Sequence, residues 1–194
     1  MKKIFITGGS GFLAVNWIIK MRDKFSIINC QNNKIVNIKG SKNFLINLFD
    51  IDEVEKFITN HKPDLIIHCA SITNIEKCEN QKKLANETHV LITKNLSQIS
   101  KKYNIKLVYI STDHIYDGKK SFYSEKDIPS PLNYYAETKL IGESEVLDAS
   151  NKNLVIRTNF FGWTTSYQRN FASNIINLLL KNKKVDVFSD VYFK

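Results

Sequence analysis

The sequence predicts an α/β protein, a doubly wound parallel sheet with helices on both faces. Three observations carry this. Short apolar runs alternate along the whole chain with longer stretches whose apolar residues return at helical spacing. The first such run, Ile4-Phe5-Ile6, passes directly into Gly8, Gly9 and Gly11 and then into a helical stripe. Polar or small residues close the apolar runs at Thr7-Gly8, Asp50, Ala70-Ser71, Ser111-Thr112 and Thr158-Asn159. In a parallel sheet those positions share one rim, the carboxyl ends of the strands, where ligands bind.

The opening run is too brief for a helix and is bounded by glycines, so it reads as a buried strand; Phe12–Lys20 then takes helical spacing. Phe25–Cys30 makes the second strand and Phe44–Leu48 the third, with an extended segment near Lys34–Ile38 between them. Asp52–His61 is helical, with Asp52 able to cap its start. Pro63-Asp64 restarts the chain into Leu65–Cys69, an apolar run typical of a strand covered on both faces. Ala85, Ile92, Leu96 and Ile99 give Glu79–Asn104 a helical stripe, and Leu107–Ile110 is again a buried strand. A Gly-, Ser- and Pro-containing loop leads to a helix over Asn133–Ala149, then to a strand at Leu154–Ile156. Phe171–Leu180 is the last helix, followed by the segment Val185–Phe188.

With 194 residues and 43% hydrophobic content the chain can bury one sizeable core. Three cysteines, Cys30, Cys69 and Cys78, make neither a disulfide framework nor a C-x-x-C metal motif, and Cys69 reads as a small core residue. The formal charge of +9 comes from lysines scattered among asparagines and isoleucines, which builds no nucleic-acid-binding face. A phosphate-bearing cofactor or substrate would use the positive field equally well. Lys2 and Lys3 precede an apolar segment, but three glycines interrupt it and no small-x-small cleavage site follows. No stretch approaches the ~18 apolar residues of a membrane span. A cytoplasmic protein without membrane or nucleic-acid partners is expected.

Strand, glycine turn and helix in that order bring free backbone N–H groups and a helix N-terminus together, which suits a pyrophosphate. Gly8 and Gly11 allow the tight turn and close backbone approach, with Phe12 and Leu13 opening the helix and Ala14 small enough to lie against the strand. A carboxylate about 20 residues beyond such a turn usually holds the adenosine ribose of NAD. Here the second strand runs out through Cys30-Gln31-Asn32-Asn33-Lys34 without an acid, which favours NADP(H) over NAD(H). Asp50, with Ile51 beside it, is either an acceptor for the adenine amine or a helix cap. Tyr135 and Lys139 stand four apart on one helix face, one turn from each other. An ammonium there would lower the phenol pKa from its usual ~10 and ease proton transfer.

Together these features resemble the extended short-chain dehydrogenase/reductase family, a Rossmann-type fold. The resemblance rests on Thr7–Ala14, His68-Cys69-Ala70-Ser71 and the Tyr-x-x-x-Lys of Tyr135 and Lys139. Within that family, Ser111–Gly118, Pro131–Tyr135 with Gly142-Glu143, and Arg157–Trp163 are similar to the signatures of dTDP-4-dehydrorhamnose reductases. The resemblance implies that Tyr135 gives a proton to the substrate carbonyl as hydride arrives from the nicotinamide. It implies that Lys139 holds the nicotinamide ribose and that Thr112 hydrogen-bonds the substrate oxygen, with Asp113 beside it. Gly8, Gly11 and Phe12 would line the pyrophosphate, Ala70, Ser71 and Ser111 the ribose side, and Asn159 and Phe160 the nicotinamide or sugar. The expected partner is a small-molecule sugar nucleotide and the candidate assembly a homodimer, with no metal.

Two departures from the family pattern stand out. His89 occupies a helix position often filled by an asparagine that supports the active-site lysine through water; it reads either as a substitute or as a structural histidine. The chain also ends where relatives continue, so residues 1–160 would form the cofactor domain and residues 161–194 the start of an incomplete substrate lobe. A dehydratase would need a carboxylate after Asp113, where His114 stands instead. Three readings follow: an NADP-dependent 4-keto-6-deoxy sugar-nucleotide reductase, an epimerase using the same tyrosine, or a non-catalytic binding subunit like the regulatory subunit of methionine adenosyltransferase.

Overall fold

A computed structural model describes residues 1–33, 35–160, 162 and 171–186. The chain divides into two compact units, Met1–Asn159 and Phe160–Lys194. The first unit holds six strands: β1 (Lys3–Thr7), β2 (Ser26–Gln31), β3 (Ser41–Leu45), β4 (Leu65–His68), β5 (Lys106–Ser111) and β6 (Leu154–Arg157). They form one sheet in the order β3-β2-β1-β4-β5-β6, and each neighbouring pair is parallel. The expected doubly wound, Rossmann-type α/β sheet is the observed one.

Alternation along β1 divides the core. Phe5 faces α2 (Ile51–His61), α5 (Ile92–Lys102) and α6 (Tyr134–Ala149), meeting Val54, Ile58, Leu96 and Val146. Ile4 and Ile6 face α1 (Phe12–Met21), meeting Ala14, Val15 and Ile18. Cys69 packs at the edge of this second cluster, as a small core residue would. Among the described residues no helix is long and apolar enough to cross a membrane.

Three local expectations are corrected. The third strand lies at Ser41–Leu45, not Phe44–Leu48, because its polar residues find partners on β2. Asn43 Oδ1 accepts from Asn29 Nδ2 at 2.8 Å and from Gln31 Nε2 at 3.2 Å. The second helix is capped by Asp50, whose carboxylate accepts from Glu53 N at 3.0 Å, while Asp52 lies inside the first turn. The long helix expected over Glu79–Asn104 is a series: α3 (Ile75–Asn80), α4 (Lys82–Asn86), a π-helical turn (Glu87–Leu91) and α5. Gln81, with φ −126° and ψ 57°, breaks the first join. In the second unit α7 spans Phe171–Leu179. Val185 and Asp186 carry no strand, and Val187 and Phe188 lie outside the described residues, as does Lys34.

Candidate active site

Thr7 ends β1, and Gly8 turns the chain with φ +66°, a conformation that suits glycine. A Cβ at Gly8 would stand 2.7 Å from Ala70 N, so the loop after β1 and the loop after β4 touch there. Gly11 is the N-cap of α1 and supplies no side-chain cap, and the first turn has no acidic residue. The backbone N–H groups at the start of α1, with Phe12 and Leu13 half-buried around them, are therefore left to an outside acceptor. A phosphate fits this donor set, because the helix dipole adds to the N–H groups at the same end.

The rim of β2 is closed differently from what an adenosine-binding acid would require. The Gln31 side chain folds back on its own loop: Nε2 donates to Val36 O at 2.8 Å and Oε1 accepts from Val36 N at 2.6 Å. Asp50 is exposed and serves as the cap of α2, with Ile51 as that helix's first residue, so of the two roles left open for Asp50 the structure gives the cap.

At the β5 rim the residues of the proposed chemistry converge. Asn133 caps α6 by accepting from Ala136 N at 2.9 Å, which sets Tyr135 in the first turn, buried. Burial pushes the Tyr135 phenol above its usual range, and a hydrogen bond with the Thr112 hydroxyl pulls it part of the way back. Lys139 lies one turn further on and is buried, with Nζ donating to Ile110 O at 2.7 Å and standing 4.0 Å from the centre of the Tyr109 ring. Burial pushes its ammonium down to about 7. The spacing thus put both groups on one helix, but the ammonium is directed at a strand carbonyl and an aromatic face. The phenol is raised, where the sequence led us to expect it lowered.

The other predicted residues divide. Thr112 Oγ1 accepts from His114 N at 3.2 Å, capping the short 3-10 turn Asp113–Ile115. Asn159 Nδ2 donates to Asp113 Oδ2 at 2.7 Å, so this pair closes the β5 and β6 rims together. Ser111 ends β5 at the rim, yet its hydroxyl donates inward to Glu143. Phe160 opens the second unit and is exposed. Phe161 and Trp163 of the Arg157–Trp163 signature lie outside the described residues.

Glu143, Arg157 and the buried His68 were not assigned roles from sequence. Glu143, one further turn along α6 from Lys139, accepts from Arg157 NH2 at 2.7 Å and from Arg157 Nε at 3.0 Å. Arg157 NH1 also donates to Tyr116 Oη at 2.6 Å, tying β6, α6 and the loop after β5. The available signal was a carboxylate four residues beyond Lys139, continuing the helix face of Tyr135 and Lys139.

The two histidines are fixed by their partners. Thr7 Oγ1 accepts from Cys69 N and Ala70 N, both at 3.2 Å, so its own proton goes to His68 Nδ1 at 2.7 Å. His68 therefore carries its proton on Nε2 and donates to Thr93 Oγ1 at 3.1 Å, and Thr93 in turn donates to His89 O at 2.6 Å. His89 has the opposite tautomer. Its Nε2 accepts from Ile72 N at 3.1 Å and from Ser71 Oγ at 3.0 Å, which leaves Nδ1–H to donate to Thr138 Oγ1 at 2.8 Å. Burial and the nearby Lys139 charge hold both rings neutral, each pushed down to about 3.

Known proteins resemble this chain in sequence and in fold. The beta subunit of methionine adenosyltransferase 2 from Rattus norvegicus is 38% identical over 112 residues, 58% of this chain and 34% of that protein. The dTDP-4-dehydrorhamnose reductase of Aggregatibacter actinomycetemcomitans is 30% identical over 192 residues, 98% of this chain and 61% of that protein. The crystal structure of the Bacillus anthracis dTDP-4-dehydrorhamnose reductase in complex with NADP superposes with a TM-score of 0.78 at 28% identity, covering 95% of this chain and 62% of that one. The matches thus span between about a third and two thirds of the relatives' length. The family described as the RmlD substrate binding domain matches residues 1–193, and the chain belongs to it.

Proposed function

We propose that this chain carries the cofactor site and the proton donor of an NADP-dependent reductase acting on a 4-keto-6-deoxy sugar nucleotide. The observation that carries the reading is the burial of Tyr135 in the first turn of α6 beside Thr112 at the β5 rim, on the same end of the sheet as the uncapped start of α1. When bound, the nicotinamide cofactor supplies the hydride. The chain's own residues do the rest. Gly8, Gly11, Phe12 and Leu13 hold the pyrophosphate, Ala70 and Ser71 border the ribose, and Lys139 holds the nicotinamide ribose. Tyr135, kept protonated by its burial, gives its proton to the carbonyl oxygen, and Thr112 donates a hydrogen bond to the charge that develops there. Asp113 and Asn159 border the sugar.

NADP is favoured over NAD because β2 ends without a carboxylate, and Gln31, the residue nearest that place, is committed to Val36. The three cysteines are free, in keeping with a cytoplasmic protein. The relation to the Rattus norvegicus subunit favours a second reading, a nucleotide-binding subunit without turnover. One experiment separates them: NADPH consumption with a dTDP-4-keto-6-deoxy sugar. The reductase reading expects turnover that Tyr135→Phe lowers roughly a hundredfold or more while NADPH binding persists. NADPH binding with no turnover on that sugar, in the wild-type protein, gives the second reading.

A further inference from the structure

His89 stands where three separate parts of the site meet. It projects from the π-helical turn, and its ring lies between the loop after β4 and the first turns of α6. On one side its Nε2 takes the Ile72 N–H and the Ser71 hydroxyl; on the other its Nδ1–H reaches Thr138. Thr138 hands the interaction on, its single hydroxyl proton shared between the carbonyls of Tyr134 and Tyr135, each 2.9 Å away. The imidazole also meets the Tyr135 ring edge-on, with centroids 5.6 Å apart and planes at 78°. The backbone oxygen of the same residue is held by Thr93, which His68 fixes to β1 and β4. Each ring nitrogen therefore has a defined job, and the two jobs require opposite proton occupancies.

We propose that His89 is a positioning residue: its imidazole, carrying the proton on Nδ1 and accepting at Nε2, clamps the Ser71-Ile72 loop to the helix that bears Tyr135. The cofactor's ribose side and the proton donor are thereby kept at a fixed separation by one ring. The inference rests on the cofactor reading only in assigning Ser71 to the ribose side; the clamp itself is a property of the chain. An amide side chain can satisfy one side of this arrangement, and a phenyl ring neither. His89→Phe keeps an aromatic ring and its edge contact with Tyr135 but leaves the part-buried Ile72 N–H without its acceptor. His89→Gln places an amide oxygen near the Nε2 position and keeps the loop contact.

Two measurements test this. Long-range nitrogen–proton NMR of the 15N-labelled protein, with the His89 signals assigned by their loss in His89→Gln, should show a neutral ring protonated at Nδ1. His68 should show the Nε2–H pattern in the same spectrum. A His89 ring protonated at Nε2, or at both nitrogens near neutral pH, overturns the proposal. Titration with NADPH should give about tenfold weaker binding for His89→Phe and a loss within about threefold for His89→Gln, the difference one hydrogen-bonded clamp makes. Wild-type affinity in His89→Phe overturns it. If the wild-type protein binds no NADPH, the proposed function fails, while the proton positions still decide the clamp.

Discussion

Lys139 shows how a single side chain can carry a pH signature. Its ammonium is held by a carbonyl and an aromatic face, and burial brings it from an ordinary ~10.4 to about 7. Between those values the unfolded chain binds the proton and the folded chain does not. Stability therefore rises as pH increases from about 7 toward ~10, by up to about 1.4 kcal/mol per pH unit. Urea unfolding at about pH 7.5 and about pH 9 should show this rise in the wild-type protein and its loss in Lys139→Met, which cannot titrate. The pairing of Tyr135 with Lys139 was legible in the sequence because helical spacing is local. Where the ammonium points was not, since Ile110 O and the Tyr109 ring come from a strand distant in sequence. The inward turn of Ser111 toward Glu143 is the same kind of fact: two residues far apart in the chain, one buried hydrogen bond.

At the scale of elements, α6 lies against the π-helical turn and β5 more closely than a side chain would allow at one point. A Cβ on Gly142 would stand 2.7 Å from His89 O and 2.7 Å from Tyr109 Oη. The carbonyl cannot yield easily, because Thr93 holds it. Helix preference alone would favour alanine by ~1 kcal/mol, but overpacking costs ~1–3 kcal/mol or somewhat more. Gly142→Ala should therefore lose about 1–2 kcal/mol net, read from the urea midpoint; a gain would mean that α6 can slide outward freely. Most elements were readable from periodicity, since β1, β4, β5 and α6 have strong apolar patterns or a clear cap. β3 was not, because Ser41 and Asn43 satisfy their polarity on Ile38 and β2. The π-helical turn escaped as well, because the apolar stripe from Ala85 to Ile99 runs across it, and the break at Gln81 lies ahead of that stripe.

Across the whole molecule, the sheet order gathers the carboxyl ends of β1, β4 and β5 side by side at its centre. Residues separated by more than a hundred positions then share one rim, and this much followed from the strand–helix alternation alone. The same arrangement buries two neutral histidines in the middle of the unit. His68 and His89 are each pushed down to about 3, below the ordinary ~6.5. The unfolded chain takes up protons there that the folded chain refuses, so stability falls as pH drops below ~6.5, by up to about 1.4 kcal/mol per pH unit for each ring. Urea midpoints should decrease from about pH 7 to about pH 5, and the decrease should shrink by about half in His89→Phe, where one of the two rings is gone.

The wide turn at Glu87–Leu91 adds a residue to the winding between α4 and α5. Winding the same residues as an unbroken α-helix would swing the stretch ahead of the turn through about 100° about its axis. Ala85 would rotate off the floor it makes with Cys78 beneath the phenol of Tyr135. An apparent defect in helical regularity is thus what sets the phase between two surfaces, one meeting the sheet and the other lining the crevice.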